Sequence, residues 1–168
     1  MIAKKYVLNC FLLLIPIFLW NLILVDKLPK SYSPEIFWKD IPVIVRYGEN
    51  ILRVLVFGLP LIMVLSFKTK VQKIGFLTYS IGVLIYFSSW LILIISPNSN
   101  WSQSLIGFTA PAFTTIIFFI GIGFIGNKAF FKFPKTTYVY IGTSLLFVVF
   151  HTIHAYLVFQ NEYNLSIN

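Results

Sequence analysis

Five long runs of apolar residues, separated by short polar segments, constrain this chain more than any other feature. Each run holds about 20 residues or more, the length that an α-helix needs to cross the roughly 30 Å hydrocarbon core of a bilayer. Only 11% of the residues are charged, whereas soluble domains carry about 25%. The sequence therefore predicts an all-α integral membrane bundle in a single domain, 1–168. The five predicted transmembrane helices are at about 6–25, 42–67, 74–96, 105–125 and 138–159, with an extracytoplasmic loop at 26–41.

The distribution of lysine predicts the orientation of these helices. The N-terminal segment and the second and fourth loops are rich in lysine and contain no acid, whereas the first loop dilutes its lysines with acids and the third has no charge. Because short cytoplasmic loops are enriched in basic residues, we expect the N-terminus inside and the C-terminus outside. The net charge of +8 then reflects topology in a multi-pass protein of the plasma membrane, and we expect no nucleic-acid partner. The lysines on the predicted inner side are Lys4, Lys5, Lys68, Lys70, Lys73, Lys128, Lys132 and Lys135.

A polar stripe opens the second apolar run. Arg46, Glu49, Asn50 and Arg53 recur at steps of three, four and seven residues, so they share one helix face within roughly 100° of arc. Charged side chains are unfavourable in a bilayer unless they face protein or water, and we therefore expect this face to point into the bundle. In the alternative, Glu49 and Arg53 neutralise each other while Arg46 reaches to the lipid headgroups.

Two histidines lie three residues apart in the fifth run, on one helix face. Under the predicted topology they lie at the same depth as the polar stripe. Together the two groups predict an outward-facing polar pocket roofed by the first loop. In the alternative, the histidines only form interhelical hydrogen bonds. The predicted ligand-binding residues are Arg46, Glu49, Asn50, Arg53, His151 and His154.

The residue types in this pocket favour a non-enzymatic function. Arginine and histidine bind anions, so we expect an anionic or amphiphilic small ligand, or a lipid. The second hypothesis is a membrane-embedded enzyme acting on a lipid-like substrate through a His/Glu acid–base pair. Its candidate catalytic residues are His151, His154 and Glu49, with Ser89 or Ser144 as a nucleophile. No known catalytic motif supports this second hypothesis.

A metal or cofactor site has weak support. His151 and His154 could ligate one ion, but only with Glu49 or Asp26 to complete the shell. Cys10 is the sole cysteine and excludes an internal disulfide. We therefore assign no metal and no cofactor. A third hypothesis is an interaction subunit or transporter component, in which small residues of the fourth run contact a partner subunit or a second copy.

The predicted topology can be tested by cysteine labelling. In a Cys10→Ser background, a cysteine at Ser99 should react with an impermeant reagent from outside, because the third loop is uncharged and predicted to be external. A cysteine at Thr69, in the lysine-rich second loop, should react only after permeabilisation. The opposite pattern would invert the bundle and place the predicted pocket on the inner side.

Overall fold

A computed structural model of the protein describes residues 7–131 and 135–167, with side chains as far as residue 162. Lys4, Lys5, Tyr6 and Lys132, which the sequence predictions used, lie outside the described residues. The chain is 77% helix, and its described part contains only isolated β-bridges in place of a sheet. The α-helices are α1 (Ile15–Leu24), α2 (Pro34–Phe37), α3 (Val43–Gly58), α4 (Lys70–Ile95), α5 (Leu105–Phe113), α6 (Thr115–Ile125) and α7 (Thr136–Ile167). Short 3-10 helices cover Cys10–Leu13, Val25–Lys27, Lys30–Tyr32 and Leu59–Ile62.

Four helical segments are long and apolar enough to cross a membrane. This confirms the prediction of an all-helical chain of membrane type. The helix α3, with 16 residues, is shorter than a spanning helix usually is, so the fifth crossing stays a prediction. The four segments are Cys10–Lys27, Lys70–Ile95, Leu105–Ile125 and Thr136–Glu162.

The predicted helix at 42–67 is too long at its C-terminal end. The α-helix α3 stops at Gly58 and continues as a single 3-10 turn, Leu59–Ile62. Pro60 lies in the first turn of that 3-10 segment. Proline has no N–H group and its ring clashes with the preceding turn of an α-helix, which explains the change at this point. The following residue, Met63, is extended.

The extended segment after this turn pairs with two other parts of the chain. The Cys10 N–H donates to the Met63 carbonyl oxygen at 2.9 Å, and the Val64 N–H donates to the Lys128 carbonyl oxygen at 2.8 Å. The start of the first apolar segment, the end of the second and the loop after α6 therefore meet at one end of the bundle.

The first loop lies at the opposite end. The Ser31 hydroxyl donates to the Glu162 carboxylate near the C-terminal end of α7, at 3.0 Å. Ile41 packs in a buried cluster with Phe108 of α5 and Val158 of α7. The segment between Ile41 and the extended residues after α3 therefore runs the full length of the bundle.

The predicted helix at 105–125 consists of two helices, α5 and α6. Pro111 lies inside α5, where it removes one backbone hydrogen bond. The break comes at Thr114, whose hydroxyl donates to the Ala110 carbonyl oxygen at 2.7 Å. The two helices still form one apolar segment of 21 residues.

Close packing of α4 against α6 forms the centre of the bundle. A Cβ atom added at Gly82 would overlap the backbone of Phe118, and one at Gly121 would overlap the backbone of Tyr79. Only glycine permits backbones to approach this closely. The side chains of Phe118 and Phe119 are fully buried beside this contact. The Gly121 face is thus occupied within the chain, and it does not support the interaction-subunit hypothesis.

Replacing Gly82 by alanine should destabilise the bundle, because the new methyl group meets backbone that cannot rotate away. We expect a loss of about 1–3 kcal/mol, measured as a lower melting temperature in a fixed lipid environment. The matched control is Gly142→Ala, since a Cβ at Gly142 meets no atom within 4 Å. That control should be neutral or slightly stabilising, by up to about 1 kcal/mol, through the higher helix propensity of alanine. If Gly82→Ala melted at the same temperature as Gly142→Ala, the close α4–α6 contact would be contradicted.

Candidate functional site

The carboxylate of Glu49 on α3 is fully buried and contacts three basic side chains. Arg53 forms an ion pair with Oε1, and His154 Nδ1 contacts Oε2. His151 Nδ1 lies 3.0 Å from Oε1. A buried carboxylate without partners would be strongly unfavourable. The stability of this part of the bundle therefore depends on these three contacts. We call the four residues, Glu49, Arg53, His151 and His154, the Glu49 cluster.

Helical spacing on two facing helices builds the cluster. Glu49 and Arg53 are one turn apart on α3, and His151 and His154 are one turn apart on α7. Side chains at these spacings share a helix face. The helices approach closely at Gly48, where an added Cβ would overlap the ring of Phe150.

The two contacts of His154 restrict where protons can lie. Its Nε2 lies 2.7 Å from the Phe37 carbonyl oxygen, which can only accept, so Nε2 carries a proton. Its Nδ1 faces Glu49 Oε2, and two bare acceptors would repel each other there. A proton must therefore lie between Nδ1 and Oε2, on one atom or the other.

The net charge of Glu49, Arg53 and His154 is the same for both proton positions. With the proton on His154, one carboxylate faces an imidazolium and a guanidinium, and the sum is +1. With the proton on Glu49, the acid and the imidazole are neutral and Arg53 again leaves +1. The side chain of Arg53 is 33% exposed, so water balances part of this charge.

Residues of the first loop cover the cluster. The centroid of the Phe37 ring lies 4.3 Å from that of the His154 ring. The Trp38 ring stands edge-on to the His154 ring, with centroids 4.6 Å apart. Trp38 also lies under the Arg53 guanidinium, 5.6 Å from its central carbon, within the range of a cation–π contact. The loop therefore shields His154 from solvent.

Tyr32 attaches the same loop to α5. Its ring stacks on Phe108 with centroids 4.6 Å apart, and its hydroxyl donates to the Phe108 carbonyl oxygen. Burial raises the pKa of the Tyr32 hydroxyl. The hydroxyl therefore stays protonated and remains a donor at any physiological pH.

A cavity of about 200 Å³ lies beside the cluster, between the first loop and helices α1, α4, α5 and α7. His151 is the one member of the Glu49 cluster that lines it. The other lining residues are mainly apolar or aromatic, and none is acidic. They are Asn21, Val25, Leu28, Tyr32, Phe37, Tyr86, Trp90, Phe108, Pro111, Ala112 and Ala155.

Three polar side chains of this cavity wall come from α1 and α4. The Tyr86 hydroxyl donates to Asn21 Oδ1 at 2.7 Å. Trp90 stands edge-on to the Tyr86 ring, with centroids 6.0 Å apart. The Trp90 indole N–H is buried and has no hydrogen-bond partner of acceptable geometry among the described residues. The Tyr86 hydroxyl is the polar group beside this N–H, and the nitrogen is too deeply buried to face the cavity.

The six residues predicted to bind a ligand differ in their surroundings. Glu49, Arg53, His151 and His154 come together as the sequence predicted. Asn50 lies at the edge, where its Oδ1 accepts from Arg53 Nη1 at 3.4 Å. Arg46 is outside the cluster, and its guanidinium lies 5.6 Å from the Tyr47 ring.

Hydrogen bonds and ion pairs hold the Glu49 cluster together. Both histidines direct Nδ1 toward the carboxylate of Glu49, and the described residues contain no group of three or more His, Cys, Asp or Glu suited to hold a metal ion. Sequence reasoning missed the role of Phe37, whose backbone carbonyl contacts His154. No residue type could have signalled it, because every residue has a carbonyl group.

Comparisons with protein-family models, with curated proteins and with solved structures gave no match. The geometry of the site is therefore the basis for the function proposed below.

Replacing Glu49 by glutamine should lower the melting temperature markedly, because Arg53 would then carry a positive charge without a counter-charge. We expect a loss of about 3–5 kcal/mol, as for other broken buried pairs. Arg53→Gln should have a smaller effect, since the side chain is 33% exposed and His154 still faces the carboxylate.

The double variant, Glu49→Gln with Arg53→Gln, is the informative comparison. It should be more stable than Glu49→Gln alone, because it removes the uncompensated charge of Arg53. If all three variants melt at the parent temperature, the cluster does not stabilise the bundle.

Proposed function

We propose that this protein crosses a membrane five times, with its N-terminus inside, and binds a small amphiphilic ligand in the cavity beside His151. The observation that carries the binding proposal is the second ring nitrogen of His151, whose Nδ1 lies 3.0 Å from Glu49 Oε1, in the wall of a mainly apolar cavity. Binding sites for small molecules commonly combine apolar walls with a few well-placed polar groups.

The course of α3 supports the fifth crossing. From Ile41 at one end of the bundle to Met63 at the other, the chain passes through α3 and the 3-10 turn, about 20 residues that reach roughly 30 Å at 1.5 Å per residue. One side of α3 buries Glu49 in the bundle, while the opposite side exposes large apolar residues, as lipid contact requires. The exposed residues are Val43, Ile44, Tyr47, Ile51, Val54 and Leu55.

The position of the cavity supports access from outside the cell. It lies next to the first loop, with Leu28, Tyr32 and Phe37 in its wall. Under the positive-inside rule, the lysine-rich segments at the other end of the bundle support an extracytoplasmic position for this loop. We propose the plasma membrane as the location on the same basis.

The size of the cavity limits what it can enclose. A cavity of about 200 Å³ lies below the roughly 300–1,000 Å³ that is common for ligand pockets, so it suits a small ligand. That is enough for a polar headgroup with the first carbons of a chain, but not for a whole phospholipid. Arg46 and Arg53 do not line the cavity, so His151 replaces them as the basic group of the proposed site.

A membrane-embedded enzyme is the second candidate, because His151 Nδ1 lies 3.0 Å from Glu49 Oε1. A carboxylate that orients a histidine is a common arrangement for a general base. Neither Ser89 nor Ser144 lines the cavity, so water would have to be the nucleophile. Under this proposal, His151→Gln would abolish turnover while ligand affinity remained.

Filling the cavity should abolish ligand binding. Ala155→Leu and Ala112→Leu each add three carbon atoms from different helices, and both alanines line the cavity. We would measure the melting temperature of the protein in lipid nanodiscs with six-carbon amphiphiles that carry acid, alcohol or amine headgroups. At least one should stabilise the parent protein by mass action and leave both filled variants unchanged.

The matched control is Gly142→Val, which also adds three carbons to α7, at a position where a Cβ meets no atom within 4 Å. It should respond to the amphiphile as the parent does. An amphiphile that stabilises the filled variants equally would show binding elsewhere, such as on the lipid-facing surface. That result would overturn the proposed site.

A further inference from the structure

We propose that the ligand of this cavity is a carboxylic acid, bound as its carboxylate together with a proton on His151. This inference rests on the proposed function and names the ligand class of the same site. It follows from three features of the site: the donors in the cavity wall, the orientation of His151 and the charge of the Glu49 cluster.

The polar groups of the wall are suited to an acceptor. Asn21 Oδ1 already accepts from Tyr86 at 2.7 Å, which leaves the amide N–H₂ group of Asn21 for a ligand. None of the lining residues is acidic. A group placed beside α1 therefore meets this N–H donor and no competing carboxylate.

His151 completes this set of donors when it is protonated. Its Nδ1 is directed to Glu49 Oε1 at 3.0 Å, so Nε2 is the ring nitrogen left for the cavity. In the neutral ring with Nδ1–H toward the carboxylate, Nε2 is an acceptor and can take up a proton. The imidazolium then donates from both nitrogens, one to Glu49 and one to the ligand.

The charge of the surrounding groups links this proton to an anion. Glu49, Arg53 and His154 carry +1 in either proton arrangement, as derived from the contacts of His154. A proton on His151 would raise the total to +2 in a partly buried site, which is unfavourable unless an anion enters the cavity. Anion and proton should therefore bind together.

A carboxylic acid supplies both the anion and the proton. The O–H bond of the acid breaks and an N–H bond forms at His151 Nε2, so an acid that arrives neutral through the lipid leaves an ion pair and no change in total charge. A carboxylate that arrives from water takes the same proton from solution. An alkylamine would add a third positive charge, and an alcohol would gain nothing from the proton.

The proposal is tested by calorimetric titration of the protein in neutral-lipid nanodiscs with hexanoate, 1-hexanol and hexylamine between pH 6 and 8. Hexanoate should bind most tightly, with one proton taken up per ligand. Its affinity should fall about tenfold per pH unit wherever the free His151 is neutral, as linkage to a single proton requires. The affinity of 1-hexanol should not depend on pH.

Two variants separate the contacts. His151→Gln should abolish the proton uptake and the pH dependence. Asn21→Asp should prevent hexanoate binding, because it places a negative charge in the wall. Trp101→Phe is the control, since Trp101 is 46% exposed and lies outside the cavity wall; it should bind as the parent does.

The outcomes distinguish this inference from the proposed function. If 1-hexanol binds as tightly as hexanoate and Ala155→Leu blocks both, the cavity is a binding site but carboxylate specificity is overturned. Tighter binding of butyl phosphate than of hexanoate would also overturn it. If none of the probes binds in the parent protein, the proposed function fails with it. Asn21→Asp keeps the proposal testable if His151→Gln does not fold.

Discussion

The burial of one carboxylate determines how the bundle is arranged at the end that carries the first loop. Glu49 is fully buried, and an unpaired carboxylate there would be far less stable than one in water. Arg53 from the same helix and two histidines from α7 surround it. Because their positions are fixed by helix geometry, the pairing sets the register of α3 against α7.

That register in turn positions the first loop and the cavity. His154 uses its second ring nitrogen to contact the Phe37 carbonyl oxygen at 2.7 Å, which draws the loop over the cluster. His151 faces the same carboxylate but lies in the cavity wall. One carboxylate thus holds a structural histidine and orients another toward a space where a ligand would fit.

The sequence predicted the parts of this arrangement that depend on periodicity. Glu49 with Arg53, and His151 with His154, could be placed on helix faces from their spacing alone, and lysine distribution suggested which faces lie at the same depth. It could not place the end of α3 at Gly58 or the break at Thr114, because a proline near these positions can bend a helix without ending it. Nor could it predict that Arg46 lies apart, since an arginine at the correct spacing can still turn toward an aromatic neighbour.

The separation of Glu49 from its histidine partners has a consequence for biosynthesis. His151 follows Glu49 by 102 residues, so a ribosome adding about 5–20 residues per second needs roughly 5–20 s to supply it. During that interval the newly made α3 has an acidic side chain that α7 cannot yet neutralise. Arg53, one turn away, is available from the start. The ion pair within α3 can therefore form before α7 is made, and the histidines are added to it afterwards.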